Sequence, residues 1–136
     1  MKQQLLILAL IIFSIGVKAQ VKPFVGISLN TRGHSLQGGA KYDNWVGLAG
    51  YNKPLTSAIN PTLFFGNIGY EISLSKGFNI TPLVGVSSVR YLYEESTAAW
   101  IGGVEIGKDL NDGRFFINGN YCEGLFVGGG IKIFID

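Results

Sequence analysis

An all-β fold, a closed antiparallel up-and-down barrel of eight strands, is predicted by three features of this 136-residue chain. Its glycines, 20 in all, are scattered through every apolar stretch. Each would cost a helix interior about 1 kcal/mol relative to alanine, so helices are disfavoured. The apolar residues recur with a period of two, the repeat of a strand whose side chains alternate between faces. Short turn signals divide the chain into eight such runs.

Residues 23–30 place Pro23, Val25, Ile27 and Leu29 opposite Phe24, Gly26, Ser28 and Asn30, and Thr31-Arg32-Gly33 turns the chain. Strands fit at about 34–42 and 45–51, divided at Asp43-Asn44. Residues 52–61, NKPLTSAINP, hold two prolines and read as the longest loop. In 62–74, Phe64, Gly66, Ile68, Tyr70, Ile72 and Leu74 share one face, and Phe65, Asn67, Gly69, Glu71 and Ser73 the other. Ser75-Lys76-Gly77 is a tight turn in which glycine supplies positive φ. Run 78–92 puts Phe78, Ile80, Pro82, Val84 and Val86 on one side, and run 98–108 does so with Ala98, Trp100, Gly102, Val104 and Ile106. Asn111-Asp112-Gly113 is a turn signal. Run 115–121 alternates Phe115, Ile117, Gly119 and Tyr121 with Phe116, Asn118 and Asn120. The last run alternates Leu125, Val127, Gly129, Ile131, Ile133 and Ile135 with Phe126, Gly128, Gly130, Lys132 and Phe134.

Residues 1–19 read as a cleavable signal peptide, with residues 20–136 as the barrel domain. Lys2 is followed by the uncharged run LLILALIIFSIGV and by Val17-Lys18-Ala19, with Gln20 as the mature start. A basic start, about 7–15 apolar residues and small residues at the cut describe an export signal. The run is shorter than the roughly 20 residues of a membrane-spanning helix. Without Lys2 and Lys18, nine basic residues balance nine acidic ones. Such a neutral chain lacks the basic footprint of a nucleic-acid binder.

The two faces decide the solvent. One is continuous and rich in Ile, Val, Leu, Phe and Trp. The other is mostly Gly, Ser, Asn and Thr, with few charges. Turned to water, the first would far exceed the few hundred Å² of apolar patch that soluble monomers tolerate. Buried in a soluble barrel, it would leave an exterior poor in Lys and Glu. Lipid outside and a polar, filled lumen satisfy both faces, and lipid requires the sheet to close. The expectation is therefore a transmembrane barrel. Even strand number puts the tight turns and both termini on one side and the longer connections on the other.

Lys41, Glu71, Glu105 and Lys132 have polar-face parity on the second, fourth, sixth and eighth strands. They form a candidate lumenal charge network, since buried charges must be paired. A one-residue slip would turn them outward instead. Tyr51, Tyr91, Tyr93, Trp100 and Tyr121 gather on the loop side, and Tyr42 and Trp45 on the turn side. They are candidate interfacial aromatics, as expected at headgroup level, although strands favour aromatics anyway. Arg90 and Lys108 share the apolar parity near strand ends, where their heads can snorkel.

This chain resembles the small outer-membrane β-barrel family of the eight-stranded OmpA/OmpX-like type. The resemblance rests on VKAQ, on the dyads of FFGNIGYEISLSKGFNITPLVGVSS and on the final run GLFVGGGIKIFID. It implies a bacterial outer-membrane location, insertion by the barrel-assembly machinery, and a role in membrane integrity, adhesion or narrow-pore transport. Such families close on an aromatic, and this chain departs from that pattern: Phe134 stands third from the end, followed by Ile135 and Asp136.

Chemistry is sparse. Gly102–Lys108 has phosphate-loop spacing, but Asp109 stands where Ser or Thr should bind magnesium, and no helix follows. Glu94-Glu95 and Asp109/Asp112 read as solvated pairs in a loop and a turn. One histidine, His34, and one cysteine, Cys122, leave no triad, disulfide framework or cysteine-built metal site. No cofactor, metal or enzymatic activity is expected. The leading expectation is a structural or surface-interaction barrel with the lipid bilayer as partner and no assigned external ligand. A narrow passive pore and a secreted soluble barrel holding an apolar ligand are the alternatives.

Overall fold

The computed structural model describes Ile7, residues 21–56 and residues 60–135. Apart from Ile7, the expected signal peptide and the mature start at Gln20 lie outside the described residues. Nine strands appear in chain order: β1 Val21–Asn30, β2 Gly33–Tyr42, β3 Trp45–Pro54, β4 Thr62–Tyr70, β5 Ile72–Ser73, β6 Phe78–Arg90, β7 Thr97–Asp109, β8 Gly113–Tyr121 and β9 Leu125–Phe134. β4 and β5 are two parts of one barrel strand. Their ladder to β6 keeps one register, with Gly69 opposite Leu83 and Ile72 opposite Ile80. The break lies where Pro82, which has no backbone N–H, would face Tyr70. Glu71 instead donates its N–H to the Asn44 carbonyl at 2.7 Å.

Each strand pairs antiparallel with its chain neighbour, and β1 also pairs with β9, so the sheet closes into an eight-stranded barrel. Closure removes the unpaired edges of an open sheet. The two-residue turn at Asp43-Asn44 uses a positive φ of 54° at Asp43, and the turn Ser75–Gly77 uses 60° at Lys76 and 75° at Gly77. Aspartate and glycine tolerate this region more easily than other residues.

Several strands outrun the sequence expectation. β3 continues to Pro54, shortening the expected 52–61 loop. β7 reaches Asp109 and β8 starts at Gly113 rather than Phe115. Asp109 and Arg114 thus become a ladder pair instead of turn residues. Local turn signals mark where a chain can reverse. Hydrogen bonding to the neighbouring strand decides how far each ladder extends.

Candidate functional site

The barrel interior concentrates the polar chemistry. Period-two alternation sends Lys41 of β2, Glu105 of β7, Arg114 of β8 and Lys132 of β9 inward, together with Glu71 between β4 and β5. Lys41 Nζ donates to Glu71 Oε1 at 2.6 Å, and Arg114 Nη1 donates to Glu71 Oε2 at 2.7 Å. Arg114 Nε also donates to Asp109 Oδ1 at 2.6 Å. Lys132 Nζ donates to Glu105 Oε1 at 2.5 Å. The four residues with polar-face parity therefore form two separate pairs. Arg114 and Asp109 extend the first pair; Asp109 is solvent-exposed as expected, but it stands at the end of β7 rather than in the turn and is paired with Arg114.

Glu71, Arg114, Glu105 and Lys132 are buried, with Glu71 2% exposed and Lys132 3% exposed, whereas Lys41 and Asp109 keep contact with solvent. Aromatic rings pack around them. The Lys132 ammonium lies 5.0 Å from the Phe24 ring centroid and 4.8 Å from that of Phe116, and the Arg114 guanidinium lies 5.4 Å from that of Phe134. Cations over ring faces gain electrostatic attraction that grows as water is excluded. Two glycines make the necessary room. A Cβ on Gly26 would sit 3.0 Å from Lys132 Cγ, and one on Gly107 would sit 2.6 Å from Arg114 Cδ.

On the loop side of this charged layer lies a polar layer. Asn30 Nδ2 and Ser35 Oγ both donate to Asn52 Oδ1 at 2.7 Å. Gln37, Asn67, Asn118 and Asn120 complete a chamber whose free volume is about 20 Å³. The gap within the charged layer is about 10 Å³. Roughly 10–15 Å³ holds one water molecule, so these voids are water-sized. Beyond the chamber, Leu63, Val89, Ile101, Cys122 and Phe126 form an apolar cap. The Cys122 thiol is fully buried, 3.1 Å from Ser87 Oγ. Arg32 ties down the rim, donating to the carbonyls of Cys122 at 2.7 Å and Glu123 at 3.1 Å. At the turn side the lumen opens into a vestibule of about 220 Å³ lined by Lys22, Lys41, Asp109, Asp112 and Arg114 among others.

The outer surface is the reverse. Val25, Ile27, Leu36, Phe64, Ile68, Val84, Val104, Ile117 and Ile131 are all exposed around the barrel. Tyr42 and Trp45 face outward at the turn side, where Trp45 meets Tyr70 edge-on with centroids 5.2 Å apart. Tyr51 lies 4.7 Å from Phe64, and Trp100 and Tyr121 are exposed near the loop side. Tyr93 stands in the β6–β7 loop, almost fully exposed. Tyr91 departs from the outer belt. It packs against the apolar cap and donates to Glu123 Oε2 at 3.1 Å. Its odd number gives it inward parity on the strand it follows. Partial burial, reinforced by the Glu123 carboxylate, raises its phenol above the ordinary value. His34 is exposed on β2. Among the described residues, no group of three or more His, Cys, Asp or Glu is placed to hold a metal.

No family model matches the chain, and no curated protein matches it. Among solved structures, the chain is similar to one described as "De novo design of transmembrane beta-barrels", with TM-score 0.63 and 14% identity over 85% of this chain and 94% of that one. It is also similar to the N-terminal β-barrel domain of Pseudomonas aeruginosa OprF, with TM-score 0.58 and 11% identity over 85% of this chain and 96% of that one. A solution structure of the de novo designed TMB2.3 gives TM-score 0.55 and 17% identity over 87% and 95%. The likeness is one of fold: an eight-stranded barrel resembling membrane β-barrels.

Proposed function

We propose that this chain is a small integral outer-membrane β-barrel with a side-chain-filled lumen and a structural or surface-interaction role. One observation carries the reading: the molecule is polar inside and apolar outside. Lys132 and Glu105 are buried in the interior, whereas Ile27 and Ile117 are each 62% exposed on the perimeter. Water as the outer solvent would leave that belt unprotected, whereas hydrocarbon suits it. The likeness to the OprF barrel domain and to designed transmembrane barrels supports the same reading.

The filled interior favours a structural role over conduction. An ion crossing the lumen would meet the apolar cap, two water-sized voids and two buried ion-pair groups in series. An apolar-ligand cup is also disfavoured, because the interior walls are charged and amide-rich. Among the described residues, the connections at 31–32, 55–56, 60–61, 91–96 and 122–124 are the surface this reading offers to an external partner. Residues 1–19 act as the export signal in this reading, the assembly machinery inserts the mature chain, and no catalytic role is assigned.

Nitroxide labels at Val84, Val104 and Ile131 in reconstituted vesicles test the reading. Collisions with oxygen exceeding those with a hydrophilic nickel chelate are expected at all three. The opposite order would overturn it. Faster migration of the unboiled protein in detergent gels checks that the barrel is closed.

A further inference from the structure

We propose that the outer groove beside Lys108 is a binding site for one anionic phospholipid, rather than generic bilayer contact. The inference rests on the membrane reading above. Phe78, Lys108, Phe115 and Ile131 are consecutive cross-strand partners on the outward face of β6 to β9 at the turn side. The next outward row is Ile80, Ile106, Ile117 and Gly129, followed by Pro82, Val104, Gly119 and Val127. The first two rows border a groove of about 440 Å³ lined by Phe78, Ile106, Phe115, Ile117 and Ile131, with Lys108 in its turn-side row.

Lys108 is built to meet an anion there. Its ammonium donates to the Lys76 carbonyl and lies 4.5 Å from the Phe78 ring centroid. These contacts fix its position and use one of its three donors. Among the described residues no carboxylate lies within salt-bridge distance, because Asp109 is engaged by Arg114 on the inner face. A cation left unpaired in the turn-side row of an apolar trough matches a phosphate carrying an acyl chain. The phosphate takes the free N–H donors and the chain lies along Ile106 and Ile117. A second outer groove, of about 560 Å³, runs past Ala49, Phe64, Gly66, Val86 and Thr97 and has no charged lining residue. It serves as an internal control.

Brominated lipids provide the test. In a Trp45→Phe/Trp100→Phe background, Phe115→Trp reports on the Lys108 groove and Phe64→Trp on the uncharged one. Quenching by brominated phosphatidylglycerol is compared with quenching by brominated phosphatidylcholine in vesicles, with gel migration confirming folding. At the Phe115 position the anionic lipid is expected to associate about fivefold more strongly, the scale of one lysine near a lipid surface. Lys108→Gln should bring that ratio to about one, Lys108→Arg should keep it, and the Phe64 reporter should show none. Strong but equal quenching by both lipids at the Phe115 position, or the same preference at both reporters, overturns the site while leaving the membrane reading intact. Absence of quenching by either lipid overturns both.

Discussion

Arg114 and Glu71 meet at 2.7 Å across the lumen, although 43 residues separate them in the chain. Glu71 is the shared acceptor for Arg114 and Lys41, and Arg114 also reaches Asp109. Glu71 is therefore the carboxylate that bridges two inward cations from β2 and β8, with Asp109 as the second acceptor of Arg114.

Glu71→Gln is expected to destabilise the barrel more than Arg114→Met. The first leaves Lys41 with no carboxylate partner and Arg114 with Asp109 alone, both facing a neutral amide. The second leaves Glu71 still paired with Lys41 and releases Asp109, which is half-exposed, toward water. Breaking a buried pair from one side costs about 3–5 kcal/mol. Urea titration of vesicle-folded protein, read by gel migration, gives the order.

For Lys132 and Glu105 the double variant Lys132→Met/Glu105→Gln is expected to be more stable than either single one. Each single change strands a buried charge or its partner, whereas the double change removes the mismatch. Full additivity in the double-mutant cycle would contradict the pairing.

Glycine substitutions should separate inside from outside. Gly107→Val would press on Arg114 and Asn79, and overpacking of this kind costs about 1–3 kcal/mol. Gly66 faces outward with no atom within 4 Å of an added Cβ, so Gly66→Val should change stability little. Comparable losses in urea midpoint at the two sites would count against the assigned faces.

Val84→Arg tests the solvent of the outer belt directly. In the middle of a bilayer an outward arginine costs about 2–4 kcal/mol. On a surface facing water, the same change at a side chain 54% exposed would be nearly neutral. Folding free energy in vesicles distinguishes the two.

Cys122 should resist alkylation in the folded barrel and react after boiling. Its thiol is shielded by Leu63, Val89 and Phe126. Rapid labelling by maleimide of the unboiled protein would mean that the cap is open.

The inward parity of Lys41, Glu71, Glu105 and Lys132 was legible because alternation along a strand is a local property, repeated from residue to residue. The Asp43-Asn44 and Ser75–Gly77 reversals were legible for the same reason. Arg114 lies outside the run 115–121 that the Asn111-Asp112-Gly113 turn signal delimits, although its even number matches Phe116 and Asn118 on the inner face. Tyr91 resembles the outer aromatics in residue type and height, yet its odd number matches the inward Ser87 and Val89. Strand parity holds for both residues, because alternation continues past the local turn signals.

The sequence by itself therefore determined which side chains share a face, and hence that this chain is polar on one side and apolar on the other. Only the tertiary structure decided that Glu71 serves both Lys41 and Arg114, while Glu105 holds Lys132. Pairing across a lumen depends on the tilt and stagger of strands once the sheet has closed, which are collective quantities. No stretch of residues carries them alone, because closure joins β1 to β9 from opposite ends of the described barrel.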